Sequence, residues 1–109
     1  MRTFRMAAIQ AFEVTYELSI KLVRRSLEAK TADPAAIDAM DFKDIMRLAA
    51  EARLIDDPPA WSVFRAKRNI SSHTYDEAKA LDVIDSIPRF ATHSRRLLTC
   101  LDTPHAPVS

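Results

Sequence analysis

The sequence of 109 residues contains no glycine and a single cysteine. Without glycine the chain cannot form a Gly-rich phosphate loop, a Rossmann fingerprint or a nucleophile elbow, and tight Asn-Gly hairpins are excluded as well. Cys100 cannot form an internal disulfide, and it lacks the further ligands that a zinc site needs. No stretch approaches the ~18 apolar residues of a membrane span, and polar residues interrupt any signal-peptide core. We therefore predict a cytoplasmic protein that is mainly helical and holds no metal and no cofactor.

An excess of charge of one sign is also lacking, because 16 basic residues face 15 acidic ones and the formal net charge is +1. This balance argues against a general nucleic-acid coat or a polybasic membrane binder, so any contact with RNA depends on where the charges lie. The apolar content of 48% and the charged content of 28% are typical of a soluble globular protein. At this length the chain is expected to form one domain with one core.

Apolar residues recur every three or four positions from Thr3 to about Lys30, which predicts one long amphipathic helix. Its predicted buried stripe consists of Ala8, Phe12, Tyr16, Ile20, Val23 and Leu27. Glu13 and Glu17 lie off this stripe, one helical turn apart. A paired-carboxylate metal site needs a second such pair or a histidine ligand, and this helix has neither. We therefore predict that the two glutamates form a solvated or interface surface.

Signals that begin or end helices divide the rest of the chain. They are Asp33-Pro34, Asp41, the segment 56–59 that ends one helix and begins the next, and the capping box from Thr74 to Glu77. Pro88 is expected to kink or restart the last helix. No segment alternates as a strand does, so the predicted fold is an all-α, up-and-down bundle of four to five helices over residues 1–102. Residues 103–109 are predicted to form a flexible C-terminal tail.

The most informative segment is RNISSHTY, residues 68–75, which has the spacing Arg-x4-His-x-Tyr between two predicted helices. The N-terminus of the second helix favours a bound anion beside this segment. His73 can take a proton from a ribose 2′-hydroxyl, and Arg68 can stabilise the charge that develops on the phosphate. Together they predict metal-independent cleavage of RNA that leaves a 2′,3′-cyclic phosphate.

Neighbouring residues and a second copy of the chain would complete this site. Arg65, Lys67 and Asn69 are predicted to support a local patch that can bind an anion. One histidine and one arginine make a small site, however, because transphosphorylation usually employs a separate acid and base. A twofold homodimer would supply a second copy of each residue, so we expect a homodimer across this region.

Structural roles for the same side chains remain open alternatives. His73 can be a helix cap or a surface residue, and Arg68 can be a surface ion-pair partner of Asp76 or Glu77. Tyr75 can be an amphipathic residue at the rim of the bundle. Spacing alone does not separate these roles from catalysis.

Three segments carry a resemblance to a known family. They are Phe12-Glu13-x2-Tyr16-Glu17-Leu18-x2-Lys21, then Ala52-Arg53-Leu54-Ile55, and then Arg68-Asn69-x3-His73-Thr74-Tyr75-Asp76-Glu77. They resemble the nucleotidyltransferase substrate-binding branch of the HEPN superfamily over roughly residues 4–101. The resemblance implies a homodimeric helical bundle whose partner is a minimal nucleotidyltransferase. It also implies RNA cleavage through Arg68 and His73, and transfer of AMP to Tyr75, which would block the site by charge and by volume.

Two functional hypotheses follow, and a third is the alternative to both. The first is a ribonuclease toxin that its nucleotidyltransferase antitoxin silences by adenylylation of Tyr75. The second is a non-catalytic subunit that presents substrate to the nucleotidyltransferase. The complete Arg-x4-His-x-Tyr spacing favours the first. The third hypothesis is a helical dimerisation module without chemistry of its own.

Overall fold

Helices make up nearly all of the chain for which a structure can be described. The computed structural model describes residues 2–73 and 76–102 and, within them, the side chains of every residue except 2, 3, 73 and 102. Its helices are α1 (Arg2–Ala29), α2 (Pro34–Ala39), α3 (Phe42–Glu51), α4 (Pro58–Ile70) and α5 (Glu77–Asp102), with a short 3-10 helix at Ser71–His73. These two ranges contain no strand, so the predicted all-α bundle is confirmed. The predicted tail, residues 103–109, lies outside the described residues.

The long helix α1 is the element on which the others pack. It contacts α2, α3, α4 and α5, and α4 in turn lies against α3 and α5. The bundle measures 50 × 27 × 19 Å. Phe12, Tyr16, Val23 and Leu27 of the predicted stripe are buried, whereas Ala8 and Ile20 are half-buried at its edge. No described helix is both long enough and apolar enough to cross a membrane.

Aspartates cap the first turns of α2, α3 and α4 in the same way. The carboxylates of Asp33, Asp41 and Asp57 each accept a hydrogen bond from the backbone N–H three residues later, over 3.4, 2.9 and 3.2 Å. Such a cap satisfies a backbone donor that the first turn of a helix leaves free. Pro34 and Pro58 follow two of these caps at the first helical position, where a missing N–H costs nothing. The predicted starts at Asp33-Pro34 and Asp41 are confirmed.

The end of α3 differs from the prediction, because this helix stops at Glu51 and not at segment 56–59. Arg53 takes a left-handed backbone conformation with φ of 63°. The backbone N–H of Leu54 donates to the carbonyl oxygen of Ala49 over 2.9 Å, and that of Arg53 donates to Ala50 over 3.0 Å. These two bonds form a Schellman motif, a helix end that glycine usually provides. In a chain without glycine, an arginine takes that position.

The start of α5 also lies later than the predicted cap at Thr74. The helix begins at Glu77, and Asp76 Oδ1 accepts a hydrogen bond from the backbone N–H of Lys79 over 3.2 Å. Asp76 therefore occupies the capping position, while Thr74 itself lies outside the described residues. The helix then continues through Pro88, so the predicted restart does not occur. A proline inside a helix costs about 3 kcal/mol, which the packing of α5 along its whole length has to offset.

An aromatic cluster joins α1, α4 and α5 at the centre of the bundle. Phe90 of α5 meets Phe12, Phe64 and Trp61 edge-on, with ring centroids 5.0, 5.2 and 6.0 Å apart. Such edge-to-face pairs contribute about 0.5–1.5 kcal/mol each beyond the area that they bury. Trp61 and Phe64 are almost completely buried. This cluster fixes α4 against α1 and α5 through Trp61 and Phe64, and Arg68, one turn after Phe64, lies opposite the side chains of α1.

Candidate functional site

The last turn of α4 brings Arg68 against two glutamates of α1. Its Nε and Nη2 donate to Glu17 Oε2 over 3.0 and 2.6 Å. Its Nη1 lies 3.4 Å from Glu13 Oε2 and 3.3 Å from Ser71 Oγ. One guanidinium thus contacts both carboxylates and a hydroxyl. We call these four residues the Arg68 cluster.

Ser71 links Arg68 to Glu13 on the inner side of the cluster. Its side chain is almost completely buried, with 1% of the residue exposed. Ser71 Oγ lies against Glu13 Oε2 and also 2.7 Å from the carbonyl oxygen of Arg68. The single hydroxyl proton can serve only one of these acceptors at a time. The tight 3-10 turn after α4 causes this arrangement, because the Ser71 N–H bonds the Arg68 carbonyl oxygen.

The two glutamates differ in how far they are exposed. Glu13 keeps 25% of its side chain accessible and Arg68 keeps 30%, whereas Glu17 keeps 59%. Glu13 therefore contacts the guanidinium from the interior, and Glu17 contacts it from the solvent side. Because the guanidinium fork matches phosphate as well as carboxylate, its outer edge can hold another anion only where Glu17 gives way.

Tyr16 lies on α1 within electrostatic reach of the same cluster. Burial disfavours its phenolate and raises the pKa of Tyr16 to about 12, although Arg65, Arg68 and Arg24 partly oppose this rise. The phenol is therefore neutral near physiological pH. It contributes no charge to the site, and its ring packs with Phe12 and Phe90.

Of the three residues predicted to support the site, Lys67 and Arg65 have contacts elsewhere. Lys67 Nζ donates to Asp82 Oδ1 of α5 over 2.8 Å. The Arg65 guanidinium carbon lies 4.7 Å from the centre of the Phe42 ring of α3. Asn69 is exposed. Lys67 and Arg65 thus tie α4 to its neighbouring helices, and their supporting role at the site stays a prediction.

The structure describes the predicted His and Tyr only in part. The backbone of His73 ends the 3-10 helix Ser71–His73, five residues after Arg68. Its side chain, and the whole of Tyr75, lie outside the described residues. The catalytic role of His73 and the modification of Tyr75 therefore stay predictions.

Two expectations about these side chains need correction. Arg68 pairs with Glu13 and Glu17, and not with Asp76 or Glu77. Glu13 and Glu17 are therefore more than a solvated or interface surface, since both bind the arginine of the motif. The sequence offered no local sign of this contact, because 51 to 55 residues separate the partners. Only the topology of the bundle brings them together.

A second polar group lies near the other end of α4, between the α3–α4 connection and α5. His93 Nδ1 lies 3.8 Å from Asp56 Oδ1, and Arg96 Nε lies 3.2 Å from Asp56 Oδ2. We call these three residues the Asp56 cluster. Within residues 2–73 and 76–102, His, Cys, Asp and Glu nowhere gather in the groups of three that could hold a metal ion. His105 lies outside the described residues.

Comparisons with known proteins agree with this fold. A family model described as "Nucleotidyltransferase substrate binding protein like" matches residues 1–103. The Haemophilus influenzae protein named probable ribonuclease HepT is 44% identical over 96 residues, which are 88% of this chain and 66% of that protein. This chain therefore spans just under two thirds of that relative.

A solved structure shows the same architecture. It comes from Haemophilus influenzae and is described as revealing the fold of a substrate binding domain of a nucleotidyltransferase. It is 42% identical and has a TM-score of 0.91, with 94% of this chain and 76% of that chain covered. The family model, the relative and the solved structure all agree with the family that the sequence resembles. The chain belongs to the nucleotidyltransferase substrate-binding protein-like family, a branch of the HEPN superfamily.

Proposed function

We propose that this chain is a metal-independent ribonuclease, the toxin of a toxin–antitoxin pair, with Arg68 and His73 as its catalytic residues. The observation that carries the proposal is the Arg68 cluster. There Glu13 and Ser71 hold a permanently cationic side chain from within, while 30% of that side chain stays exposed. The motif histidine follows five residues later. The name of the Haemophilus influenzae relative supports the same activity.

The proposed reaction is an internal transfer within RNA. His73 removes the proton of a ribose 2′-hydroxyl, and the 2′-oxygen attacks the adjacent phosphorus. The bond from phosphorus to the 5′-oxygen breaks, which leaves a 2′,3′-cyclic phosphate on one fragment. The 5′-oxygen of the other fragment takes up a proton from a protonated His73 of a second copy of the chain and becomes a hydroxyl. Arg68 stabilises the negative charge that grows on the phosphate oxygens. Water takes no part in this step.

A homodimer completes this proposal, because one histidine cannot be base and acid at the same moment. An exposed apolar stripe on α1 supports it, formed by residues at spacings of three and four: Phe4, Ala7, Ala11, Val14 and Leu18. Phe4, Val14 and Leu18 are 77%, 66% and 52% exposed. This spacing is typical of a seam between two helices. Since Leu18 directly follows Glu17, pairing of two stripes would bring two Arg68 clusters to one interface.

The proposed regulation is adenylylation of Tyr75 by a minimal nucleotidyltransferase in the cytoplasm. The phenol gives up its proton to solvent and its oxygen attacks the α-phosphorus of ATP. Pyrophosphate leaves with the electron pair of the broken phosphorus–oxygen bond. The resulting AMP carries a phosphate two residues from His73, where it would repel and exclude the RNA phosphate. The family description supports a nucleotidyltransferase as the partner.

The test compares substitutions of two histidines, His73 of the motif and His93 of α5. We expect His73→Ala to reduce the rate of RNA cleavage in EDTA by at least about 100-fold, which is the ordinary contribution of a general base. The matched control is His93→Gln, whose target lies in the Asp56 cluster. Its cleavage rate should stay within about threefold of the parent once folding is verified, because it supplies no catalytic group. A His73→Ala protein as active as the parent would exclude the proposal.

A second candidate function is the non-catalytic subunit that presents substrate to the nucleotidyltransferase. The family description and the description of the solved structure favour it. It predicts a stable complex with the nucleotidyltransferase and no cleavage of RNA near neutral pH by the purified parent. Intact mass after co-expression separates the two functions, since one or more AMP units confined to Tyr75 support the toxin and an unmodified chain supports the subunit.

A further inference from the structure

The edge of Arg68 that suits a phosphate is already occupied in this structure. A guanidinium binds a phosphate most strongly through two parallel N–H donors. In Arg68 the Nε and Nη2 donors form such a pair, and both point at Glu17 Oε2 over 3.0 and 2.6 Å. A carboxylate oxygen thus stands where an oxygen of the RNA phosphate would bind. For substrate to reach this edge, Glu17 has to move.

Glu17 is free to move in a way that Glu13 is not. Glu13 contacts the remaining donor, Nη1, and also the buried hydroxyl of Ser71. Only 25% of the Glu13 side chain is exposed, against 59% for Glu17. Leaving Glu13 without partners in the interior costs more than turning Glu17 into water. Glu13 therefore positions the guanidinium, while Glu17 covers its outer edge.

A second partner for Glu17 lies one helical turn away. Lys21 is four residues later on α1, the spacing at which a glutamate and a lysine pair most favourably. Glu17, Lys21 and Arg24 line one open groove on the surface of α1. In the part of the chain that is described, Glu17 makes its ion pair with Arg68 and not with Lys21. Lys21 is thus available to take the carboxylate when an anion takes its place.

We propose that Glu17 is a displaceable carboxylate that masks Arg68 in the ligand-free chain and that an RNA phosphate moves it onto Lys21. The inference rests on the proposed function, because it names the anion as a phosphate of RNA. Glu17 then acts through Arg68, because it determines how readily the guanidinium binds the substrate phosphate. It forms no bond to the reacting atoms.

The experiment measures binding of a nucleic acid that cannot be cleaved. A short fluorescein-labelled oligothymidylate lacks the 2′-hydroxyl, so its dissociation constant reports binding alone in an anisotropy titration at about 0.1 M salt, where charges are screened over about 10 Å. The proteins are the parent and three variants that each remove one negative charge: Glu17→Gln, Glu13→Gln and Glu51→Gln. Glu51 is the exposed last residue of α3 and controls for net charge. Glu17→Ala serves as a second variant, and thermal unfolding verifies that each protein is folded.

We expect Glu17→Gln to lower the dissociation constant by about three- to tenfold, the range that an exposed but well-aligned ion pair provides. Glu51→Gln should change it by less than about twofold because salt screens distant charges. Glu13→Gln should not tighten binding as Glu17→Gln does, because it releases the guanidinium from its inner support. The inference is overturned if Glu17→Gln and Glu17→Ala bind like Glu51→Gln, or if Glu13→Gln tightens binding equally.

A double-mutant cycle ties the effect to Arg68. Arg68→Ala removes the guanidinium that Glu17 covers. Adding Glu17→Gln to Arg68→Ala should therefore change the dissociation constant by less than about twofold relative to Arg68→Ala alone. Tightening that persists without Arg68, or no measurable binding by any variant, overturns the inference. The result is separable from the ribonuclease test. If Glu17→Gln unmasks Arg68 but no protein cleaves RNA, only the proposed function fails; if His73→Ala abolishes cleavage but Glu17→Gln has no effect, only the inference fails.

Discussion

The Arg68 cluster and the Asp56 cluster are both built from a few charged groups beside α4, yet they differ in the ratio of acidic to basic groups and in burial. In the Arg68 cluster two carboxylates surround one guanidinium, and a buried serine completes its inner side. In the Asp56 cluster one carboxylate, 48% exposed, serves both Arg96 and His93 over 3.2 and 3.8 Å. The first arrangement fixes a cation in one geometry, whereas the second is a surface ion pair of the kind that contributes little. The comparison teaches that function is expected where a charge is held from within.

The largest expected difference between the two clusters is in activity. Arg68→Ala should lower the rate of RNA cleavage by at least about 100-fold, because it removes the group that stabilises the transition state. Arg96→Ala removes an arginine of the Asp56 cluster and should change the same rate by less than about twofold. Initial rates on a labelled RNA at equal protein concentration measure both. Equal losses in the two variants would show that the clusters do not differ in function.

The next difference concerns stability. Glu13→Ala removes the inner carboxylate that Arg68 and Ser71 both contact, so each loses a hydrogen bond to a charged group. The change should reduce the free energy of unfolding by about 1–3 kcal/mol. Asp56→Ala breaks exposed pairs and should cost less than about 1 kcal/mol. Urea unfolding followed by circular dichroism gives both values. If Asp56→Ala lowers the free energy of unfolding more than Glu13→Ala does, the Arg68 cluster does not contribute more to stability than the Asp56 cluster.

A third prediction uses the raised pKa of Tyr16, which lies near the Arg68 cluster. The pKa of this phenol is about 12 in the folded chain against an ordinary 10.0, because burial disfavours the phenolate. The unfolded chain therefore loses its proton first, and the associated stability is complete below pH 10.0 and is lost as pH rises to about 12. Relative to Tyr16→Phe, the parent should lose about 2 kcal/mol of unfolding free energy across this window. A difference between the two proteins that stays constant with pH would contradict the burial of the phenol.

The smallest expected effect tests the turn that leads from α3 towards the Asp56 cluster. Arg53 has φ of 63°, a conformation that costs a non-glycine residue about 1–2 kcal/mol. Arg53→Gly removes this strain but gives the unfolded chain more freedom, so the net gain should be about 0.5–1 kcal/mol. The urea midpoint should rise slightly, while Arg53→Ala should leave it nearly unchanged. Destabilisation by glycine would show that the arginine side chain itself holds this turn.

The sequence predicted those parts of the fold that depend on local patterns. The apolar spacing of α1 placed its ends within a residue of Arg2 and Ala29, and the aspartate caps placed the starts of α2 and α3. The end of α3 was missed because a left-handed turn at Arg53 has no signal when glycine is absent. The sequence predicted a kink or a restart at Pro88 and could not decide between them, because the packing of α5 across Pro88 is a property of the whole bundle.

The site was predicted to a smaller extent, for a physical reason. Arg68 was identified by its spacing from His73, which is local information. Its partners on α1 are more than fifty residues away and meet it only after α1 and α4 pack around Phe90. The sequence therefore showed which cation is present, and only the folded chain showed that Glu13 holds it and Glu17 covers it.

The measurement that tests the central claim most directly is the chemical identity of the cleavage product. A short RNA is incubated in EDTA with the parent and with His73→Ala, and the fragments are analysed by mass spectrometry. The account predicts that the parent yields fragments ending in a 2′,3′-cyclic phosphate, paired with fragments that begin with a 5′-hydroxyl, and that His73→Ala yields neither. Cleavage that requires Mg²⁺ and leaves a 5′-phosphate, or identical products from both proteins, would contradict it.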